Sequence, residues 1–226
     1  GPLLDMFFGR ASKPKPPRES GRPFEALLYV HAFIQFAVLA TLMYRASIDG
    51  AAWTTWVAAL STGISSGVSG IIVAHELGHT KKGSFSWWVG RLNLLSVLYL
   101  HFTTEHNFTH HKHVSTVKDP ATALRGESLW WFIARTVPGQ FRDAAAVHHR
   151  KGRTGFQNPV YRGFLLQIVL LIGLYAAFGP WVMGAFVAQA AFAIFLLEYI
   201  NYIRHYGLLR EVGERQTEMH SWQSEE

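Results

Sequence analysis

The stretch from Trp53 to His79 reads WTTWVAALSTGISSGVSGIIVAHELGH, an apolar run that ends in two histidines. A membrane-spanning helix needs about 20 mainly apolar residues, and the part from Trp53 to about Ala74 is long enough. Its many small residues allow neighbouring helices to pack closely. His75 and His79 lie four residues apart, on one helical face, which suits chelation of one metal ion. The stretch therefore predicts a membrane helix with a metal-binding pair at its end.

Other apolar segments extend this prediction to an all-α integral membrane protein with about four transmembrane helices. The further predicted spans are residues 24–43, 163–178 and 181–203. The last two form a hairpin around Gly179-Pro180, a strong turn signal. Residues 87–102 are apolar but short, and Arg91 and Asn93 interrupt them, so we expect a re-entrant or interfacial helix there.

The distribution of basic residues predicts the topology. The chain has 226 residues and a formal net charge of +6. Its basic segments are residues 10–22, 81–91, 112–162 and 204–215, whereas the connectors 44–52 and 178–181 carry only Arg45. Because cytoplasmic loops are enriched in Lys and Arg, all the basic segments are expected in the cytoplasm, together with the histidine groups. The positive charge is thus explained without nucleic acid, which we do not expect as a partner.

A second histidine group indicates more than one metal. His106 and His110 repeat the four-residue spacing, and His111 lies about 100° around the helix from His110, where it can face another ion. His205 follows a further apolar helix, and we expect it to be a ligand as well. The sequence has no cysteine, so a metal must be bound by imidazole and carboxylate, which suits iron, zinc, manganese or copper.

Three motifs resemble the histidine boxes of AlkB-type alkane monooxygenases, within the membrane fatty acid desaturase and hydroxylase group. They are HELGH at 75–79, EHNFTHH at 105–111 and NYIRHYGLLR at 201–210, and residues 116–128 and 220–222 are similar to that family too. The resemblance implies a non-haem di-iron enzyme that uses O₂ to hydroxylate the terminal carbon of an alkyl chain. Rubredoxin and rubredoxin reductase would supply the electrons. The implied iron ligands are His75, His79, His106, His110, His111 and His205.

The resemblance also implies a partial hydroxylase domain over residues 1–226, with a linker at 1–22 and a cytoplasmic segment at 103–162. We expect a fragment that lacks the family's first helical hairpin and its C-terminal HxxHH box, from a protein of the bacterial inner membrane. Glu76, Glu105 and Asn201 are candidates for the second coordination shell, although the two acids could instead be direct ligands. Candidates for lining a substrate channel are Trp53, Trp56, Phe192 and Phe195.

Other functions stay open at this point. A fatty acyl desaturase or hydroxylase and an alkyl-aromatic monooxygenase belong to the same group. The HExxH pattern of His75-Glu76-xx-His79 is also the signature of zinc proteases, in which the glutamate is the general base. A metal carrier without catalysis would use the same ligands.

Overall fold

A computed structural model describes residues 21–222, and within this range the ordered elements are helical. The α-helices are α1 Arg22–Asp49, α2 Trp53–Ser65, α3 Ile72–Gly78, α4 Phe85–Ser96, α5 Phe102–Glu105, α6 His111–His113, α7 Leu129–His149, α8 Pro159–Phe178 and α9 Pro180–His205. Two π-helical turns, π1 Ser66–Ile71 and π2 His106–His110, join α2 to α3 and α5 to α6. Short 3₁₀ turns occur at Gly155–Gln157 and Glu218–His220. The predicted linker at 1–22 lies outside the described residues as far as residue 20, and its last residue, Arg22, already belongs to α1.

Four helices in the described part of the chain are long and apolar enough to cross a membrane, as predicted. They are Pro23–Asp49, Trp53–Gly78, Pro159–Phe178 and Pro180–His205. The second of these runs without a break through α2, π1 and α3. The helices extend beyond the apolar runs because Pro23, Pro159 and Pro180 start them, and proline suits a first turn whose N–H groups have no intrahelical partner.

Helix α4 is too short to span, since its 12 residues cover only about 18 Å. It packs against α3, where a Cβ atom at Gly90 would lie 3.1 Å from Leu77 Cβ. After α4 the chain turns at Leu98, which has a φ of 55°, and the Leu100 amide donates to Gln167 Oε1 of α8 at 2.9 Å. This segment therefore reverses direction against the bundle and leads directly into the second histidine group.

The sequence did not predict helix α7, because residues 103–162 are polar and basic in composition. The Ser128 hydroxyl caps its first turn by accepting a hydrogen bond from the Trp131 amide at 3.3 Å. One face buries Phe132, Ala144 and Val147, while Trp131 is exposed. The apolar residues recur at helical spacing, so the segment is an amphipathic helix that packs against α8 and α9.

Helix α9 lies against α2 at very short range. A Cβ atom at Gly63 would lie 2.9 Å from both the Gln189 backbone oxygen and Phe192 Cβ, and one at Gly67 would lie 3.2 Å from Leu196 Cδ1. The two backbones can approach this closely only because α2 and π1 present glycine there. The small residues of the 53–74 segment thus have the packing role that the sequence predicted.

A chain of buried hydrogen bonds fixes this packing. Gln35 Nε2 of α1 donates to Ser66 Oγ at 2.5 Å, and the Ser66 hydroxyl donates to Gln189 Oε1 of α9 at 2.7 Å. Gln189 Nε2 in turn donates to the Ser96 carbonyl oxygen at 2.7 Å. These three side chains are partners of one another, so this series of hydrogen bonds links α1, π1, α9 and the end of α4.

Replacing Gly63 by alanine tests the close approach of α2 and α9. Because the new Cβ would meet a backbone oxygen that cannot move away alone, we expect a loss of about 1–3 kcal/mol in the free energy of unfolding. Gly173→Ala in α8 is the matched control, since nothing lies within 4 Å of its Cβ position. Thermal unfolding in detergent, followed by tryptophan fluorescence, measures both. Equal midpoints for the two variants would contradict the packing described here.

Candidate metal centre

Four histidines meet at the end of the second candidate span. His75 lies in the last turn of α3 and His79 directly follows that helix, while His106 and His111 come from π2 and α6. One ring nitrogen from each residue lies within 4.8 Å of all the others. Opposite donors around an ion at about 2.1 Å are about 4.2 Å apart, so small side-chain movements suffice for these rings to share one metal. We call these four residues the histidine cluster.

The π turn determines which histidines belong to the cluster. The sequence predicted a chelate of His106 with His110, four residues apart. In the structure the His111 amide donates to the His106 carbonyl oxygen, five residues back, so a full turn separates these two residues. Their ring centroids lie 4.4 Å apart, and the cluster contains His111 and not His110. A π turn has no clear sequence signal, which explains the difference.

His110 and His205 form a second pair beside the cluster. Their ring centroids lie 5.4 Å apart, and the His110 ring also stacks on His106 at 5.2 Å. His110 Nδ1 lies 3.0 Å from Asp119 Oδ2. The Thr122 hydroxyl donates to the same carboxylate at 2.7 Å, and the Ala121 amide donates to it at 3.0 Å. A carboxylate held in this way keeps the proton on Nδ1 and leaves Nε2 free to bind a metal.

The electrostatics of these residues favour metal ligation. Burial, together with the charges of His110 and His75, lowers the pKa of His106 to about 2, so its ring is neutral at physiological pH. Burial alone would raise the pKa of Asp119, but the hydrogen bonds from His110 and Thr122 outweigh it and lower the pKa. A neutral imidazole and an ionised carboxylate are the forms that bind and orient a divalent metal.

Unpartnered polar atoms also fit a metal. Among the described residues, His106 Nε2, His205 Nδ1 and Glu105 Oε1 are buried without a hydrogen-bond partner. Buried polar atoms are normally hydrogen-bonded, so three exceptions within one site need another explanation. Imidazole and carboxylate donors in this arrangement suit iron or zinc.

A cavity of about 710 Å³ opens beside both histidine groups. His75, His106, His110, His111 and His205 line it, together with the apolar residues Ile71, Ile72, Phe102, Leu197 and Ile200. Gln216, Thr217, Glu218 and Ser221 border it from the C-terminal segment. Hydrogen bonds hold that segment in place, among them one from the Ser115 hydroxyl to the His220 carbonyl at 2.6 Å and one from the Trp222 amide to the Arg204 carbonyl at 2.9 Å.

The three candidates for the second coordination shell lie in different surroundings. The Glu76 side chain is 57% exposed, and its Oε1 lies 3.9 Å from His75 Nδ1, beyond hydrogen-bond range. Glu105 is buried next to His106, and burial, together with the nearby Asp119 and Glu198 carboxylates, raises its pKa well above the usual range. Asn201 Nδ2 donates to Glu198 Oε2 at 3.3 Å, so it acts on another carboxylate and not on a histidine.

The aromatic candidates for a substrate channel lie away from the cavity. Trp53 is 74% exposed and Trp56 is 37% exposed. Phe192 packs against Gly63 and stacks on Phe195, with ring centroids 5.8 Å apart. None of the four lines the cavity beside the described histidines. Their role in a channel therefore stays a prediction.

Sequence reasoning missed two carboxylates, Asp119 and Glu198. Glu198 in α9 is fully buried and accepts hydrogen bonds from Gln140 Nε2 at 2.8 Å and from the Tyr99 hydroxyl at 3.3 Å. An acid inside an apolar run signals a function or a buried partner, so Glu198 could have been found. Asp119 lies in a loop, and its bond to His110 depends on how that loop folds back.

Comparisons with known proteins give matches over most of the chain. The model of the fatty acid desaturase family matches residues 51–224. The alkane 1-monooxygenase of Pseudomonas putida is 36% identical over 99% of this chain and 59% of its own length, and alkane 1-monooxygenase 1 of Alcanivorax borkumensis is 37% identical over the same shares. The xylene/toluene monooxygenase hydroxylase component of Pseudomonas putida is 29% identical over 72% of the chain and 46% of its own length. The chain thus spans about three-fifths of the length of the alkane 1-monooxygenases above. With a helical membrane fold, histidine boxes and a match over most of its length, the chain belongs to the fatty acid desaturase family.

Proposed function

We propose that the full-length protein is a membrane-bound non-haem di-iron monooxygenase that hydroxylates the terminal carbon of alkanes or similar alkyl chains. The observation that carries the proposal is the histidine cluster with the adjacent His110–His205 pair, both on an apolar-walled cavity. Similarity to alkane 1-monooxygenases supports the choice of substrate.

Two irons fit the two groups of histidines. His75, His79, His106 and His111 would hold one ion, and His110 and His205 would contribute to the other. Bound iron would supply the redox chemistry for activating O₂, which zinc cannot do. The net reaction consumes an alkane, O₂, two electrons and two protons, and it yields a primary alcohol and water. We infer that rubredoxin, reduced by its reductase, supplies the electrons.

The chain's own residues contribute positioning and the exclusion of water. Ile71, Phe102 and Leu197 give the cavity an apolar wall that accommodates an alkyl chain and disfavours water. Asp119 holds His110 in one tautomer. The Gln140, Tyr99 and Asn201 side chains hold the Glu198 carboxylate beneath the cavity-lining part of α9.

The distribution of charge supports a bacterial inner membrane location with the histidines facing the cytoplasm. The segment between the second and third candidate spans carries most of the exposed Lys and Arg residues, including Lys112 and Lys118. These two lysines are suited to attract an acidic electron carrier. Arg135, in the same segment, does not add to this free charge, because it donates to Glu127 at 2.8 Å.

Alkyl-aromatic compounds and fatty acyl chains are the alternative substrates that we consider within the same enzyme group. The similarity to a xylene/toluene monooxygenase component favours an alkyl-aromatic substrate, and the family match admits fatty acyl chains. Product analysis of the reconstituted protein with octane, xylene and an acyl substrate separates them. A primary alkanol from octane supports our proposal, whereas a double bond in the acyl chain or turnover of xylene alone would overturn it.

Iron content tests the metal site. We expect about two irons per full-length protein, and His106→Ala should lose at least one of them together with octane hydroxylation, because His106 contacts both histidine groups. His149→Ala is the control, since His149 is exposed and lies outside both groups. Elemental analysis and gas chromatography measure the two outcomes. Zinc alone in the active protein, or full activity in His106→Ala, would sink the di-iron assignment.

The carboxylate behind His110 gives a finer test. Asp119→Asn keeps the shape of the side chain but removes the charge that orients the ring, so we expect a loss of about 10–100-fold in affinity for the metal bound by His110. Asp143→Asn is the matched control, because Asp143 is half-buried and makes no described hydrogen bond or ion pair. Competition with a chelator measures the affinities. If both variants weaken metal binding equally, Asp119 has no specific role in holding His110.

A further inference from the structure

A second cavity, of about 510 Å³, lies on the other side of the histidine cluster, and all of its charged lining residues are Lys or Arg. Lys82, Arg91, Lys151 and Arg153 line it, and no Asp or Glu does so in the described part of the chain. Among residues 21–222, none of these four cations takes part in an ion pair. We call this space the basic cavity. His79 is the member of the histidine cluster that also touches it.

Arg91 is the deepest of the four cations. Its Nη1 donates to the Leu100 carbonyl oxygen, and its guanidinium carbon lies 5.5 Å from the centre of the Trp87 ring. Burial lowers the pKa of Arg91 to about 10, so it remains charged at physiological pH. A buried charge without a counter-ion is costly, and an anion bound in the cavity would remove that cost.

His148 adds an unsatisfied polar group to the same wall. It is 7% exposed, and its Nδ1 is buried without a partner among the described residues. The His148 carbonyl accepts from the amides of Lys151 and Arg153 at 3.0 and 3.1 Å, which holds the loop after α7 against the cavity. The cations of this loop are therefore placed by backbone hydrogen bonds.

The N-terminus of α8 adds to the positive electrostatic potential of the cavity. Pro159 and Val160, in its first turn, line the basic cavity. The N-terminus of a helix of 20 residues carries a partial positive charge and attracts anions. The Val160 amide itself donates to Asn158 Oδ1 at 3.0 Å, so the helix adds its dipole and not a free N–H group. The side chains, with a weaker contribution from this dipole, thus favour a negatively charged occupant.

The position of the cavity relative to the membrane indicates which kind of anion it would bind. Gly78 ends the second candidate span, Pro159 begins the third, and both line the cavity, so it lies at the edge of the membrane. Leu100, Trp87 and Phe108 give it apolar walls next to the cations. Phosphate groups and the first carbons of acyl chains occur together at this depth. We propose that the basic cavity binds the phosphate of an anionic membrane lipid, independently of the proposed catalytic function.

Lipid binding to the full-length protein in detergent tests the proposal, with native mass spectrometry counting bound lipids. We expect phosphatidylglycerol to bind in preference to phosphatidylcholine. The pair Lys82→Gln/Lys151→Gln should weaken phosphatidylglycerol binding by about 25-fold, at about fivefold for each cation removed near the membrane surface. Both lysines are exposed, so the variant is expected to fold.

The matched control is Lys81→Gln/Arg150→Gln. It changes the charge by the same amount one residue away, and neither residue lines the cavity. We expect less than a threefold effect. An equal loss in both pairs would show general attraction to surface charge and overturn the proposal. Displacement of the lipid by millimolar inorganic phosphate would also overturn it, in favour of a site for a free anion.

Discussion

The constraint behind the whole structure is that hydrocarbon cannot solvate a polar group, so each one inside a span needs a protein partner. In the middle of the bundle, hydrogen bonds join Gln35 to Ser66 and Ser66 to Gln189. Gln189 also donates to the Ser96 carbonyl oxygen. These bonds tie α1, π1 and α9 together. Because α9 is fixed against α2 at Gly63, its last turns carry Glu198 and His205 to the region where α3 ends.

The sequence predicted much of this architecture because hydropathy and charge are local properties. The four spans and the non-spanning segment after Gly83 follow from the length of apolar runs. The histidines of the site also stand out, because HELGH and EHNFTHH are local patterns. The contacts made by Asp119 and Glu198 could not be predicted in the same way, because their partners lie on other elements and depend on the tertiary fold. Helix α7 was not predicted, because basic residues lie among the apolar residues that form its buried face.

Charge is divided unequally around the histidine cluster. On the side of the larger cavity, carboxylates lie behind the rings, and Asp119 bonds directly to His110. On the other side, Arg91 and the loop after α7 supply positive charge without a carboxylate among the lining residues. The cluster therefore lies between a cavity lined by histidines and apolar residues and a cavity at the membrane edge whose charged residues are all cations.

The two π turns make the arrangement of the histidines sensitive to the length of the chain. A π turn holds one residue more than an α turn, and each residue advances a helix by about 100°. His75 and His79 follow the turn Ser66–Ile71, and His111 follows the turn His106–His110, so the direction of these rings depends on an added residue upstream. Loss of one residue within such a turn would return it to α geometry and change which imidazoles face one another across it. The length of these segments, and not only their composition, therefore determines which histidines meet.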